Sequence, residues 1–199
     1  MKKFLVFAII FFGMKLNAQE KFTTYRNILS SKPIDISISY TNDSTYFLLV
    51  DMYSNDKINK KGGIWINSQD HKEFIDKILI AKSKYAEWIN VAKQNKVNEM
   101  FKDMDINYRV ASAYFYYGKK ITQQMGVDLK FSFSVIGQNK SLLIRTGQLT
   151  SMTNEYLIHD GFKFVFTSEK EISDFIDKIS VQKVKDFIKK PKTSDLFKN

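Results

Sequence analysis

Residues 128–146 read Asp128-Leu129-Lys130-Phe131-Ser132-Phe133-Ser134-Val135-Ile136, Gly137-Gln138-Asn139, Lys140-Ser141-Leu142-Leu143-Ile144-Arg145-Thr146. Phe131, Phe133 and Val135 alternate with Ser132 and Ser134, so a period of two puts the large apolar groups on one face and the hydroxyls on the other, as in a half-buried strand. The Gly-Gln-Asn step is a tight turn, which makes 128–136 and 140–150 antiparallel neighbours. Downstream, 161–166 reads as another strand. A helix then starts at Ser168, with Glu169 and Glu171 near its positive end and Ile172, Phe175, Ile176 and Ile179 on one face; Pro191 stops it.

Upstream of the hairpin, 107–117 reads as a strand. Before it the period changes: Phe74, Ile75, Ile78, Leu79, Tyr85, Ala86, Ile89 and Ala92 recur at spacings of three and four. That pattern predicts a long helix from a Ser68 cap to about Val97, a rod of about 45 Å at roughly 1.5 Å per residue. Strands are expected at 62–66, opened by Gly62-Gly63, and in a hairpin of 34–40 and 45–53 around the polar turn Thr41-Asn42-Asp43-Ser44. Residues 20–33, closed by Pro33, are amphipathic without a decided period. The expected class is α+β: a mainly antiparallel sheet of about seven strands, arranged as three strands, a long helix, four strands and a C-terminal helix, with the helices on one face. Strands and helices do not alternate as a doubly wound parallel sheet requires.

The 199 residues are 44% hydrophobic and 26% charged, an ordinary globular balance. Lysine and arginine number 31 against 21 acids, for a net charge of +10, yet Arg26, Arg109 and Arg145 are the only arginines. The surplus is lysine, which disfavours nucleic acid as a partner, because base and phosphate readout leans on arginine's bidentate fork. Cysteine is absent, which excludes disulfide scaffolds, thiolate zinc sites and cysteine nucleophiles.

At the N-terminus Lys2 and Lys3 precede an apolar run from Phe4 to Phe12, then Gly13 and a polar stretch ending Asn17-Ala18-Gln19. This order is that of a signal peptide. As a helix the run spans about 14 Å, well short of a hydrocarbon core of about 30 Å. Expected boundaries are a signal peptide at 1–18, cleaved after Ala18, one domain at 19–190 and a frayed tail at 191–199. The protein is therefore expected to be exported, periplasmic or secreted. Cleavage removes three lysines and no acid, leaving the mature chain basic.

The string Phe-Ile-Asp-Lys-Ile occurs at Phe74–Ile78 and again at Phe175–Ile179, each after a strand and a serine. The offset of about 100 residues is either an internal duplication or convergence on one strand-to-helix junction. The segments Gly62-Gly63-Ile64-Trp65-Ile66, Phe74, Trp88, Ala92, Asn95 with Val97, Asn154-Glu155-Tyr156, and Phe164-Val165-Phe166 before Ser168, Glu171 and Ile172 resemble an uncharacterised family of small exported bacterial proteins. The likeness covers about residues 60–180 and implies export and a single-domain architecture; it lends no activity and no site residues.

No glycine falls into a phosphate-binding loop and no Gly-x-Ser-x-Gly elbow occurs. Asp103-Met104-Asp105 is the tightest carboxylate pair and reads as a solvated strand edge, or less simply as a chelating or acid/base pair. His71, beside Asp70 and Glu73, reads as a neutral surface histidine. His159-Asp160-Gly161 reads as a turn whose imidazole has no identifiable nucleophile beside it. No catalytic residue, metal ligand or cofactor is expected. Ala113-Tyr114-Phe115-Tyr116-Tyr117 offers either a buried strand or a stacking platform, so Tyr114, Tyr116 and Trp65 are the candidate ligand-binding residues. Trp65 and Trp88 are otherwise expected in the core.

Lys183, Lys185, Lys189, Lys190 and Lys192 flank Val184, Phe187 and Ile188, a pattern that suits a weak contact with an anionic membrane surface as well as an ordinary solvated helix end. The leading expectation for function is a non-catalytic binding module for an unknown envelope or extracellular partner or small ligand. The alternative is a small exported carboxylate-dependent hydrolase, which a clustering of Asp51, Asp103 and Asp105 with His71 or His159 around one cleft would favour.

Overall fold

The structure is a computed structural model that describes residues 19–190. The expected signal peptide and its cleavage after Ala18, and the expected tail beginning at Pro191, lie outside the described residues. In chain order the elements are β1 (Glu20–Tyr25), β2 (Ile34–Tyr40), β3 (Tyr46–Asp51), β4 (Tyr53–Ser54), β5 (Gly62–Asn67), α1 (His71–Gln94), β6 (Glu99–Asp103) and β7 (Tyr108–Tyr117). They continue with β8 (Lys120–Ile136), β9 (Asn139–Thr146), β10 (Leu149–Thr150), β11 (Ile158–His159), β12 (Phe162–Phe166), α2 (Glu169–Lys178) and α3 (Val181–Lys189).

The fold is α+β, and the pairings are antiparallel throughout. The main sheet has ten strands in place of about seven, in the order β1-β2-β3-β5-β7-β8-β9-β12-β4, with β6 also on β8. β4 follows β3 after Met52 alone and pairs with β12, so the sheet curls until its far strand returns to the chain that continues its third strand. The β8–β9 hairpin forms in the expected register, with Phe131 opposite Ile144 and Phe133 opposite Leu142. Inward residues such as Leu48, Ile64, Phe115, Phe131 and Phe164 share one core with Phe74, Ile78 and Tyr85 of α1, Ile172 and Phe175 of α2, and Val184 of α3.

Four departures from the sequence reading have local causes. Residues 20–25 are a strand whose alternation is broken by a register shift between Lys21 and Thr23. β8 begins at Lys120, not near Asp128; buried positions change phase between Thr122 and Val127, where Gly126 takes φ +61. α1 starts at His71 behind Asp70 because Ser68 is used otherwise: its hydroxyl donates to the Ser44 carbonyl at 2.8 Å. The C-terminal helix is two helices, with Ser168 capping α2 as expected by accepting from the Glu171 N–H at 3.2 Å, and Ser180 opening α3 by accepting from Lys183 at 3.4 Å.

The element order repeats: β1-β2-β3-β5 then α1, and β7-β8-β9-β12 then α2, with the two four-strand runs adjacent in the sheet. The Phe-Ile-Asp-Lys-Ile strings do not hold equivalent places. The first lies at the start of α1, whereas the second ends on Ile179, the C-cap of α2.

Candidate functional site

β3, β5 and β7 turn a second set of side chains to the sheet face away from the core. Register places Leu49 opposite Trp65, Trp65 opposite Ser112, and Gly63 between Asp51 and Tyr114. Trp65 and Tyr114 are therefore brought together, their ring centroids 5.9 Å apart, and Phe47 lies 6.0 Å from Trp65 on the other side. Tyr116 follows Tyr114 on the same face, with its backbone N–H donating to the Lys61 carbonyl at 3.1 Å. Trp65 is thus not in the main core, contrary to the expectation for both tryptophans, because its β5 position alternates with the inward Ile64 and Ile66. Trp88 does pack against that core, 5.8 Å from the Phe133 ring, and carries Lys102 over its other side.

This face holds polar groups under strain of solvation. Tyr114 is buried and its hydroxyl donates to Asp51 Oδ1, while the Tyr25 hydroxyl donates to the Asp51 carbonyl at 3.0 Å. Burial pushes the Asp51 carboxyl above its usual range, against the lowering effect of the Tyr114 bond, and pushes the Tyr114 phenol up as well. Trp65 Nε1 and Ser112 Oγ, on cross-strand partners, are buried without a hydrogen-bond partner among the described residues. Each such group costs about 1–3 kcal/mol. On the opposite, inward side of β5, Gly62 lets the strands approach: at φ +153, a Cβ would sit 2.3 Å from the Tyr114 carbonyl and 2.4 Å from Phe162 Cζ, a core residue. Phe47, Ser112 and the link from Asp51 to Tyr114 escape a sequence reading because only the register of three strands makes them neighbours.

The remaining candidates are dispersed. His71 is buried, correcting the expectation of a surface position: the first turn of α1 faces β3, and Nδ1 lies 2.8 Å from the Tyr46 hydroxyl. Burial pushes its pKa down to about 4, opposed by the Ile179 backbone, so it is neutral as expected. His159 is also buried, stacked on Phe162 at 4.2 Å. The Gly161 N–H donates to its Nδ1 at 2.9 Å, which leaves the ring proton on Nε2, where it faces the Asn59 carbonyl at 2.9 Å. Ser54 Oγ lies 3.1 Å from the same nitrogen, a contact no sequence motif announces, but the Ser54 proton goes to the Asn59 carbonyl at 2.8 Å. Nε2 therefore has no lone pair with which to activate that hydroxyl.

Asp103 ends the edge strand β6, as the strand-edge reading expects; its Oδ1 accepts from Ser132 Oγ at 2.6 Å and from the Arg145 guanidinium at 2.9 Å. The Ser132 bond, then Arg145, holds its carboxyl below the usual range. It borders an open cleft of about 310 Å³ that also reaches Asp128, itself paired with Arg109 at 2.6 Å. Asp103, Asp51 and the two histidines thus occupy separate places with separate partners. Among the described residues no three His, Asp or Glu side chains converge as metal ligands, and no helix is long and apolar enough to cross a membrane.

No protein-family model, curated protein or solved structure matches the chain.

Proposed function

We propose that the chain is a non-catalytic, exported binding module, working in the periplasm or outside the cell, and that its ligand lies across the outer sheet face at Trp65, Tyr114 and Tyr116. The observation that carries this reading is a set of features on one patch: paired aromatic rings, a carboxyl pushed up by burial, and two polar atoms on facing residues that have no hydrogen-bond partner among the described residues. Folding energy alone favours filling such positions with apolar groups, so their presence together is what a recognition surface leaves behind. Rings flanked by hydrogen-bonding groups suit a ligand with a flat apolar face and polar edges, such as a saccharide ring or an extended peptide. The hydrolase alternative draws no support from the separate placement of its carboxylates and histidines.

The test uses Trp88→Phe protein, in which Trp65 is the remaining one of the 2 tryptophans. Its emission is followed while a chitooligosaccharide, a muropeptide and an extended apolar peptide are added in turn. A saturable change with one of them, lost in Tyr116→Ala, is expected. Constant emission and no heat of binding with all three would contradict the proposal.

A further inference from the structure

Three loops meet at one end of the curled sheet. The β7–β8 turn, Gly118-Lys119, is tied to loop 55–61 by the Tyr116 N–H donating to the Lys61 carbonyl at 3.1 Å. It is tied to loop 151–157 by the Met152 N–H donating to the Gln123 carbonyl at 3.0 Å and by the Thr150 N–H donating to Gln124 Oε1 at 2.7 Å. Loop 55–61 is joined to β11, which continues loop 151–157, and to the residue before β12 through His159 Nε2 and the Asn59 carbonyl at 2.9 Å, and through the Asn55 N–H and the Gly161 carbonyl at 2.9 Å. His159 and Ser54, left over by any catalytic reading, are thus the pin that holds this end together.

The end so built carries large apolar side chains in water: Ile58 is 86% exposed, Tyr156 85%, Met152 60%, Ile121 59%, Tyr117 52% and Ile158 47%. The same segments carry Lys57, Lys60, Lys61, Lys119 and Lys120 against Asp56, Glu155 and Asp160. Of these acids Asp56 is buried, its Oδ1 accepting from the Ile58 and Asn59 N–H groups at 2.8 and 2.7 Å. We propose that this end is a membrane-docking tip that seats Ile58, Tyr156 and their apolar neighbours in the interface of a bilayer containing anionic phospholipid, with the surrounding lysines against the headgroup phosphates.

The sign of the charge selects the occupant. Two of the three loops carry five lysines beside the apolar tip, Lys57, Lys60, Lys61, Lys119 and Lys120, which complement an anionic headgroup layer, whereas a second copy docking tip to tip would set these lysines against themselves. The lysine-rich α3 lacks the apolar half of this combination: Val184 is fully buried, Phe187 packs edge-on to Phe22 at 5.1 Å, and Phe187 and Ile188 both lie against the core. Any contact α3 makes with a membrane is therefore one of charge alone.

The test is co-sedimentation of the purified protein with vesicles of phosphatidylcholine, and of phosphatidylcholine mixed with phosphatidylglycerol. Binding to the mixed vesicles only, weakened by salt, is expected. Ile58→Ser with Tyr156→Ser should lower the partition coefficient about tenfold or more, since each side chain loses several buried carbons. Lys119→Glu with Lys120→Glu should lower it comparably and flatten the salt dependence. Lys185→Glu on α3 with Lys190→Glu at its C-terminal cap should leave the Ile58/Tyr156 effect intact. All these positions lie on the surface or in exposed loops, and unchanged circular dichroism and melting of each variant confirm folding. No binding to mixed vesicles, equal binding by the tip variants, or self-association in lipid-free buffer that the tip variants abolish would each overturn the proposal. None of these outcomes bears on ligand binding at Trp65.

Discussion

His71 and Asp51 carry opposite pH signatures, and both follow from burial. The pKa of His71 falls to about 4 in the fold from 6.5, so the unfolded chain binds the extra proton first as pH drops. The stability it lends is present above about pH 6.5 and is lost progressively towards about pH 4, a fall of roughly 3 kcal/mol. His159, also shifted down by burial, adds to the same slope. Urea midpoints measured across that range should therefore drop steeply, and His71→Gln should flatten part of the drop. Asp51, shifted up, is the reverse: its contribution is held at low pH and lost once the folded protein must ionise it. Asp51→Asn, which can still accept from Tyr114, should accordingly raise the midpoint at pH 7 while leaving it little changed at pH 3. An unchanged midpoint at pH 7 would show that the carboxylate is well solvated.

Among the elements, those written in plain periodicity are the ones the sequence discloses. The β8–β9 hairpin is legible because Phe131, Phe133 and Val135 all point to one core, and α2 because Ser168 and Glu171 stand at the right spacing from its apolar face. The N-terminal half of β8 and the whole of β1 are hidden by a φ +61 glycine and a register shift, each of which moves the alternation out of phase. Ser68 misleads for another reason: it has the chemistry of a cap, but tertiary structure offers its hydroxyl the Ser44 carbonyl. Two substitutions separate these roles. Ser168→Ala should cost about 1 kcal/mol by loss of the cap, with Ser68→Ala costing less, both read from denaturation midpoints. Gly126→Ala has room, its Cβ no closer than 3.7 Å to Arg109, yet should cost roughly 1–2 kcal/mol for the left-handed backbone alone.

For the molecule as a whole, the curled sheet has an inner face that carries the main core and an outer face on which Trp65 and Tyr116 are half-buried beside the buried Tyr114 and Ser112. Phe164→Ala, fully buried among Tyr25, Phe166 and Phe175, should cost about 3–5 kcal/mol, a large part of the 5–15 kcal/mol typical of a domain. Trp65→Ala should cost less, because its ring is only partly buried and outside that core. Trp65, Tyr114 and Tyr116 are legible as candidates from their residue types, but Asp51 and Ser112 become part of the same patch only through the β3-β5-β7 register. The indole N–H of Trp65, buried and without a partner among the described residues, is the atom that most directly reports on that patch. In a ¹H–¹⁵N spectrum of the labelled protein, titration with a chitooligosaccharide, a muropeptide or an extended apolar peptide should move the Trp65 indole resonance saturably and leave that of Trp88 in place. A Trp65 resonance that stays fixed through all three titrations would contradict the account.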